Sequence, residues 1–285
     1  MSQLIVQRKR QKKSKVVSVK CFILDNVEKT LEVGNKKDDI SRPQESENAV
    51  TPEPQGRQEQ VQLQVVSHLA ADFLNYKWVD ITREGLCLQL TQLYCREDAD
   101  TLLTLCEQEL VYNEGDLATV KLFGKRIQIP RKQVAHGNTG LTYTFSGNTI
   151  PARPWTPLLM KIRDHISAAT GYQFNFVLIN RYKDGHDYMG EHKDDEKDLF
   201  PGFPIASLSL GQPRDFVFRH QDSRGKDCKR KIAPVSLTLE HGVLLLMKHP
   251  TNSFWYHSLP RRTRALGVRV NLTFRKMQPS HSKHA

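Results

Sequence analysis

Apolar positions are sparse up to about His68 and then fall into two rhythms, first a helical one and later a period of two. From Arg96 to Leu110 an acidic start precedes Leu102, Leu105, Cys106 and Leu110, which share one face of an amphipathic helix. A second helix is expected after Thr156, whose hydroxyl suits an N-cap. Pro157 fits its first position, Leu158, Ile162, Ile166 and Ala169 form its apolar stripe, and Gly171 stops it. Beyond Gly171 short strands separated by turn residues take over: Phe174 to Tyr182, Ile205 to Leu210, Asp215 to His220, Val235 to Leu239, Val243 to Met247 and Val268 to Arg275. Aromatic and β-branched residues first become dense at Phe73 to Ile81, where Trp78 is the expected first core anchor. Strands that do not alternate with helices argue against a doubly wound sheet. The expected class is α+β with a mainly β core, a jelly-roll or cupin-like barrel braced by N-terminal helices.

Composition divides the chain into an arm, residues 1–70, and one domain, residues 71–285. The arm is rich in Lys, Arg, Glu, Gln and Ser, and ordering it would bury little, so it is expected to be disordered. Its cluster of Arg8, Lys9, Arg10, Lys12, Lys13 and Lys15 reads as a nuclear-import signal, a DNA tether or a solvated charge run. The stretch Val19 to Leu24 reads either as a transient strand or as a partner-binding peptide. A net charge of +11 favours an anionic partner, because clustered cations release counterions when they meet phosphates. No apolar run reaches the roughly 18 residues that span a bilayer, and no secretory signal pattern opens the chain, so no membrane partner is expected. Five cysteines without CxxC spacing, mostly in apolar surroundings, read as reduced thiols of an intracellular protein.

Three residues have the chemistry of metal ligands. In an extended segment His192 and Asp194 point to one side, and His257 arriving from a neighbouring strand would complete a 2-His-1-carboxylate triad with open iron positions. Among eleven histidines an HxD alone means little. Support comes from the last strand, where Arg269, Asn271, Thr273 and Arg275 alternate with Val268, Val270, Leu272 and Phe274, placing the polar residues on one face. Turned inward, such a face needs a ligand, since unpaired buried guanidinium groups cost several kcal/mol each. A dicarboxylate would satisfy it, with Arg269 as a bidentate clamp and Arg275 or Thr273 taking the remaining oxygens. Asn180 and Tyr182 share a face and can donate to the same anion.

The run Asn180-Arg181-Tyr182, then His192-Lys193-Asp194-Asp195, then His257, then Arg269 through Arg275 resembles the AlkB family of oxidative dealkylases. The resemblance extends from about Trp78 to Lys276 and looks strongest to the branch that acts on nuclear DNA. It implies a double-stranded β-helix with a substrate-binding hairpin lid at about 110–150. It also implies iron(II) on His192, Asp194 and His257, 2-oxoglutarate on Asn180, Tyr182, Arg269, Thr273 and Arg275, and O2 as co-substrate, with ascorbate helpful in vitro. The implied reaction is oxidative demethylation of bases such as 1-methyladenine and 3-methylcytosine in duplex DNA, in the nucleus, by a monomer.

The substrate side can be read alongside that resemblance. Tyr143 and Phe145 fall on one side of an extended segment, where with Ser146 they would hold a flipped base, and Asp195 beside the pocket complements a cationic methylated base. Leu122, Phe123 and Gly124 lie in a turn between basic residues. By the resemblance this tip enters the base stack as a wedge. Arg131, Arg219, Arg224, Lys226, Arg262 and Arg264 are the expected phosphate contacts. Two departures stand out: Thr263 interrupts a loop that is more lysine-rich in relatives, and Gln3-Leu4-Ile5-Val6-Gln7 differs from the peptide by which relatives dock on a sliding clamp. Rival readings are the same chemistry on single strands, RNA or protein, and a non-catalytic nucleic-acid-binding barrel.

Overall fold

A computed structural model of the chain describes residues 17–19, 76–122, 125–145, 148–225 and 228–278. Two sheets carry the fold. The larger runs in the order β2 (Val79–Arg83), β3 (Leu86–Gln92), β14 (Val243–Met247), β11 (Ile205–Gly211), β16 (Arg269–Arg275), β9 (Phe176–Tyr182) and β6 (Lys132–Gly137), with every pair antiparallel. The smaller runs β1 (Val17–Val19), β13 (Val235–Leu239), β12 (Arg214–His220), β15 (Trp255–Leu259) and β10 (Met189–His192). From β11 onward the chain passes back and forth between the sheets, which is the connectivity of a double-stranded β-helix. Two hairpins stand apart, β4 (Thr119–Leu122) with β5 (Lys125–Gln128), and β7 (Thr142–Phe145) with β8 (Asn148–Pro151). Among the described residues no helix is long and apolar enough to cross a membrane.

Period two decides which face of each strand is wet. Leu86, Leu88 and Leu90 of β3 meet Leu245 and Met247 of β14, Phe218 of β12, Leu237 of β13 and Trp255 of β15 in one core that joins the sheets. On the other face of the larger sheet Val134, Ile179, Leu208, Val270 and Leu272 are buried. Helix α1 (Arg96–Glu109) packs against β11, and a bidentate Arg181–Glu107 pair, at 2.6 Å and 2.7 Å, ties it to β9. Helix α2 (Pro157–Thr170) has the expected ends, with Thr156 accepting from the Leu159 amide and Gly171 left-handed at φ 76°. Its His165 sits between the hydroxyls of Tyr76 and Tyr94 at 2.6 Å and 3.0 Å.

Several expectations need correction. Trp78 is only half-buried, because it precedes an edge strand; the core tryptophan is Trp255, which donates to the Glu84 carbonyl. Ala169 is half-buried, and the α2 face is centred on Leu159, Ile162 and Ile166. Phe174 and Val268 precede their strands; the Val268 carbonyl instead accepts from Gln212 at the Gly211 bend. Cys106 is buried, Cys87 half-buried, and Cys95 and Cys228 are exposed, so apolar surroundings hold only in part; all four are free thiols. Within the arm, Val17–Val19 pairs in parallel with β13, and the rest of residues 1–70 lies outside the described residues.

Candidate active site

Antiparallel register brings the two histidines together. His192, the last residue of β10, lies directly across from His257 in the middle of β15, and their ring centroids are 4.2 Å apart. Asp194 lies just past the end of β10, with its carboxylate oxygens 3.6 Å and 3.7 Å from His192 Nε2 and His257 Nε2. One ligand atom from each residue falls within 4.8 Å of the others. The His192 Nδ1–H donates to the Gly190 carbonyl at 3.0 Å, which leaves Nε2 with its lone pair toward the group. Two imidazoles and one carboxylate on one side of an ion, with the remaining positions free, suit iron(II). Burial opposes ionisation of Asp194, but the Arg275 guanidinium beside it holds its carboxyl well below the usual range. Burial, reinforced by His192, pushes His257 down to about 3, so its ring is neutral and ready to ligate.

The triad opens on a cavity of ≈ 940 Å³ whose wall is the inner face of the larger sheet. Cross-strand pairing sets a polar row there: Gln133 on β6, Asn180 on β9, Asn271 on β16 and Ser209 on β11 lie opposite one another in turn. Arg269 is buried, with Nη2 on Ser209 Oγ at 2.8 Å, Nη1 on the Leu239 carbonyl at 3.3 Å, and Nε without an acceptor among the described residues. Burial pushes its guanidinium down to about 10. Arg275 donates through Nη2 to Asp194 at 3.0 Å and leaves Nε and Nη1 without acceptors among the described residues. Orphaned guanidinium atoms this deep are what a dicarboxylate would satisfy, so the donor set fits 2-oxoglutarate. The expectation for Arg275 is thereby refined, because its first partner is the metal carboxylate. Thr273 and Tyr182 line the same cavity, with Thr273 Oγ1 donating to Asn271 Oδ1 at 3.1 Å. Asn271 itself buttresses β11 by donating to Ser207 Oγ and the Leu208 carbonyl.

On the substrate side Tyr143 reaches the cavity, with the Arg275 guanidinium 5.3 Å from its ring centroid. Asp195 lines the mouth and is exposed. Ser146, Phe123, Gly124 and Lys226 lie outside the described residues, as do the side chains of Leu122 and Phe145. Sequence reasoning missed Glu196, although counting by twos from His192 and Asp194 arrives at it. It lines the cavity, and burial pushes its carboxyl above the usual range against the pull of Arg275.

The expected phosphate contacts divide. Arg131, expected as a phosphate contact, lines the cavity, where Nε donates to Asn180 Oδ1 at 2.8 Å. It lies three residues past the end of β5, directly after Pro130, at a bend where its amide donates to the Ile129 carbonyl at 2.8 Å. Arg219 and Arg224 share Glu191 through Nε at 2.7 Å and 3.0 Å, and Arg224 stacks on Tyr256 at 3.6 Å. Arg262 pairs with Asp215 at 2.6 Å, and Arg264 is exposed. Their loop is held from beneath by a residue the sequence did not single out, buried Arg214, which donates to the carbonyls of Asp184, Asp187 and Pro260. Beside it Gly185 packs so closely that a Cβ would lie 1.7 Å from the Arg262 carbonyl oxygen.

A double-stranded β-helix with a 2-His-1-carboxylate group facing an arginine-floored cavity defines the class of iron(II)- and 2-oxoglutarate-dependent oxygenases. Residues 96–275 match the 2OG-Fe(II) oxygenase superfamily, and the chain belongs to it. Among its relatives is the DNA oxidative demethylase ALKBH2 of Homo sapiens, 57% identical over 200 residues that span 70% of this chain and 77% of the relative. The Mus musculus protein of the same name is 52% identical over 211 residues, 74% of this chain and 88% of its own length. The alpha-ketoglutarate-dependent dioxygenase alkB homolog 3 of Rattus norvegicus is more distant, 36% identical over 152 residues, 53% of this chain and 51% of the relative. These place the chain in the AlkB branch.

Proposed function

We propose that this chain is a DNA repair enzyme that oxidatively demethylates N-alkylated bases of the 1-methyladenine and 3-methylcytosine type in duplex DNA. The observation that carries the reading is the His192–Asp194–His257 group, its ligand atoms within 4.8 Å of one another, opening on a cavity with unpaired buried guanidinium atoms. The relatives named DNA oxidative demethylase supply the substrate class. Iron(II), with 2-oxoglutarate and O2, would supply the oxidising power that converts an N-methyl group to formaldehyde while 2-oxoglutarate becomes succinate and CO2.

The chain's own residues do the rest. Arg269, Asn180, Tyr182 and Thr273 orient the dicarboxylate, and Arg275 holds Asp194 ionised and in place. Tyr143, with Phe145 and Ser146, receives the flipped base, while Asp195 and Glu196 face its positive charge. Leu122, Phe123 and Gly124 fill the gap the base leaves, and Arg219, Arg224, Lys226, Arg262 and Arg264 hold phosphates. The same reading carries a monomeric working form and nuclear residence, whereas the departure at Gln3-Leu4-Ile5-Val6-Gln7 speaks against docking on the sliding clamp.

The test is mass spectrometry of duplex and single-stranded oligonucleotides carrying one defined methylated base, incubated with the protein, iron(II), 2-oxoglutarate and ascorbate. Loss of about 14 mass units for each methyl group removed, the net loss of CH2, with matching formaldehyde and succinate is the expected result. Succinate without any change in either oligonucleotide would move the substrate elsewhere.

A further inference from the structure

We propose that Arg131 is a positioning residue that orients the amide of Asn180, with Gln133 as its second acceptor, so that the Asn180 NH2 group is kept as a donor for the acidic co-substrate. A guanidinium can only donate, so whatever faces it must be an acceptor. Asn180 presents Oδ1 to Arg131 Nε at 2.8 Å, and Gln133 presents Oε1 to Arg131 Nη2 at 3.5 Å. The two amides are cross-strand partners on β6 and β9, and both are buried. One cation therefore takes up an amide oxygen on each. What remains is polarised: Gln133 Nε2 is buried without an acceptor among the described residues, and Asn180, with its Oδ1 taken by Arg131, lines the cavity. An unpaired buried amide donor costs about 1–3 kcal/mol, an arrangement that persists where a ligand supplies the acceptor. Without Arg131 the Asn180 amide can turn over and present its oxygen to a carboxylate, replacing attraction with repulsion.

The inference rests on the reading of the cavity as a 2-oxoglutarate site, and its test separates the two. 2-Oxoglutarate is titrated calorimetrically into manganese(II)-loaded protein without O2, for wild type, Arg131→Met, Arg131→Lys, Asn180→Ala and the double variant Arg131→Met/Asn180→Ala. Circular dichroism and manganese affinity serve as checks on folding and on the metal group. Arg131→Met is expected to weaken binding about tenfold, the worth of one hydrogen bond to a charged partner, and Arg131→Lys to recover much of that loss. In the Asn180→Ala background Arg131→Met should cost little more, since a residue acting through Asn180 has nothing left to orient. Additive losses would overturn the proposal by making Arg131 an independent contact, and unchanged affinity in Arg131→Met would overturn it outright. Wild-type protein that binds manganese but no 2-oxoglutarate would instead overturn the co-substrate reading beneath it.

Discussion

Asp194 has two duties that substitution can separate. It is a ligand candidate, and among the described residues it is the acceptor of the buried Arg275 guanidinium, at 3.0 Å. Removing it strands a buried cation, so Asp194→Ala should abolish turnover and also destabilise the metal-free protein by about 3–5 kcal/mol. His192→Ala, at a more exposed position, should abolish turnover with a much smaller shift of the urea midpoint. Equal midpoints would mean that Arg275 finds another partner. Arg269→Lys keeps the charge but loses the fork that reaches Ser209 and Leu239, and it should raise the apparent KM for 2-oxoglutarate about 10- to 100-fold in a succinate assay. An unchanged KM would place the co-substrate elsewhere. At this scale the triad and the inward arginines were legible because alternation assigns faces without knowledge of the fold. Glu196 obeyed the same alternation and was overlooked. The direction of Arg131 was hidden, because a basic residue after a proline reads as surface until a tertiary acceptor such as Asn180 is known.

Among the elements, local chemistry decided what could be read. Helix α2 declared itself through Thr156, Pro157 and Gly171, all within one turn of its ends. Strand β3 alternates leucine with half-buried residues and was legible in principle. The strands β10 and β15 are too short to carry a pattern, and only their pairing gives His192 and His257 a meaning. The β4–β5 hairpin invites a functional test at its tip. If Phe123 fills the gap left by an extruded base, stacking worth about 1–3 kcal/mol is lost on truncation. Phe123→Ala should therefore slow demethylation of a duplex by roughly 10- to 100-fold and that of the same sequence as a single strand far less. Equal losses in initial rate on both forms would remove the wedge.

For the whole molecule, the active site is a product of topology: ligands come from the smaller sheet and the loop after it, and the anion floor comes from the larger one. Nothing local in the sequence announces that β12, β13 and β15 leave the sheet that β11, β14 and β16 share, so the barrel class could be inferred but not its strand order. Because metal and co-substrate bridge the two sheets, they should stabilise the fold as a unit. Saturating manganese(II) and 2-oxoglutarate should raise the unfolding free energy by about 2.7 kcal/mol for each ligand at a hundredfold excess over its Kd. Chelation should reverse the gain in a thermal melt, and a melt indifferent to both would argue against a shared site. The contact of Gly185 with the Arg262 carbonyl gives this dependence of site on frame an evolutionary form. Any side chain at position 185 must displace the backbone that carries Arg262 and Arg264, so a neutral change there would propagate as though basic residues had been lost. Descendants of this sequence can trade the identities of those surface arginines one at a time, but the replacement of Gly185 is the change their lineage would be least free to make.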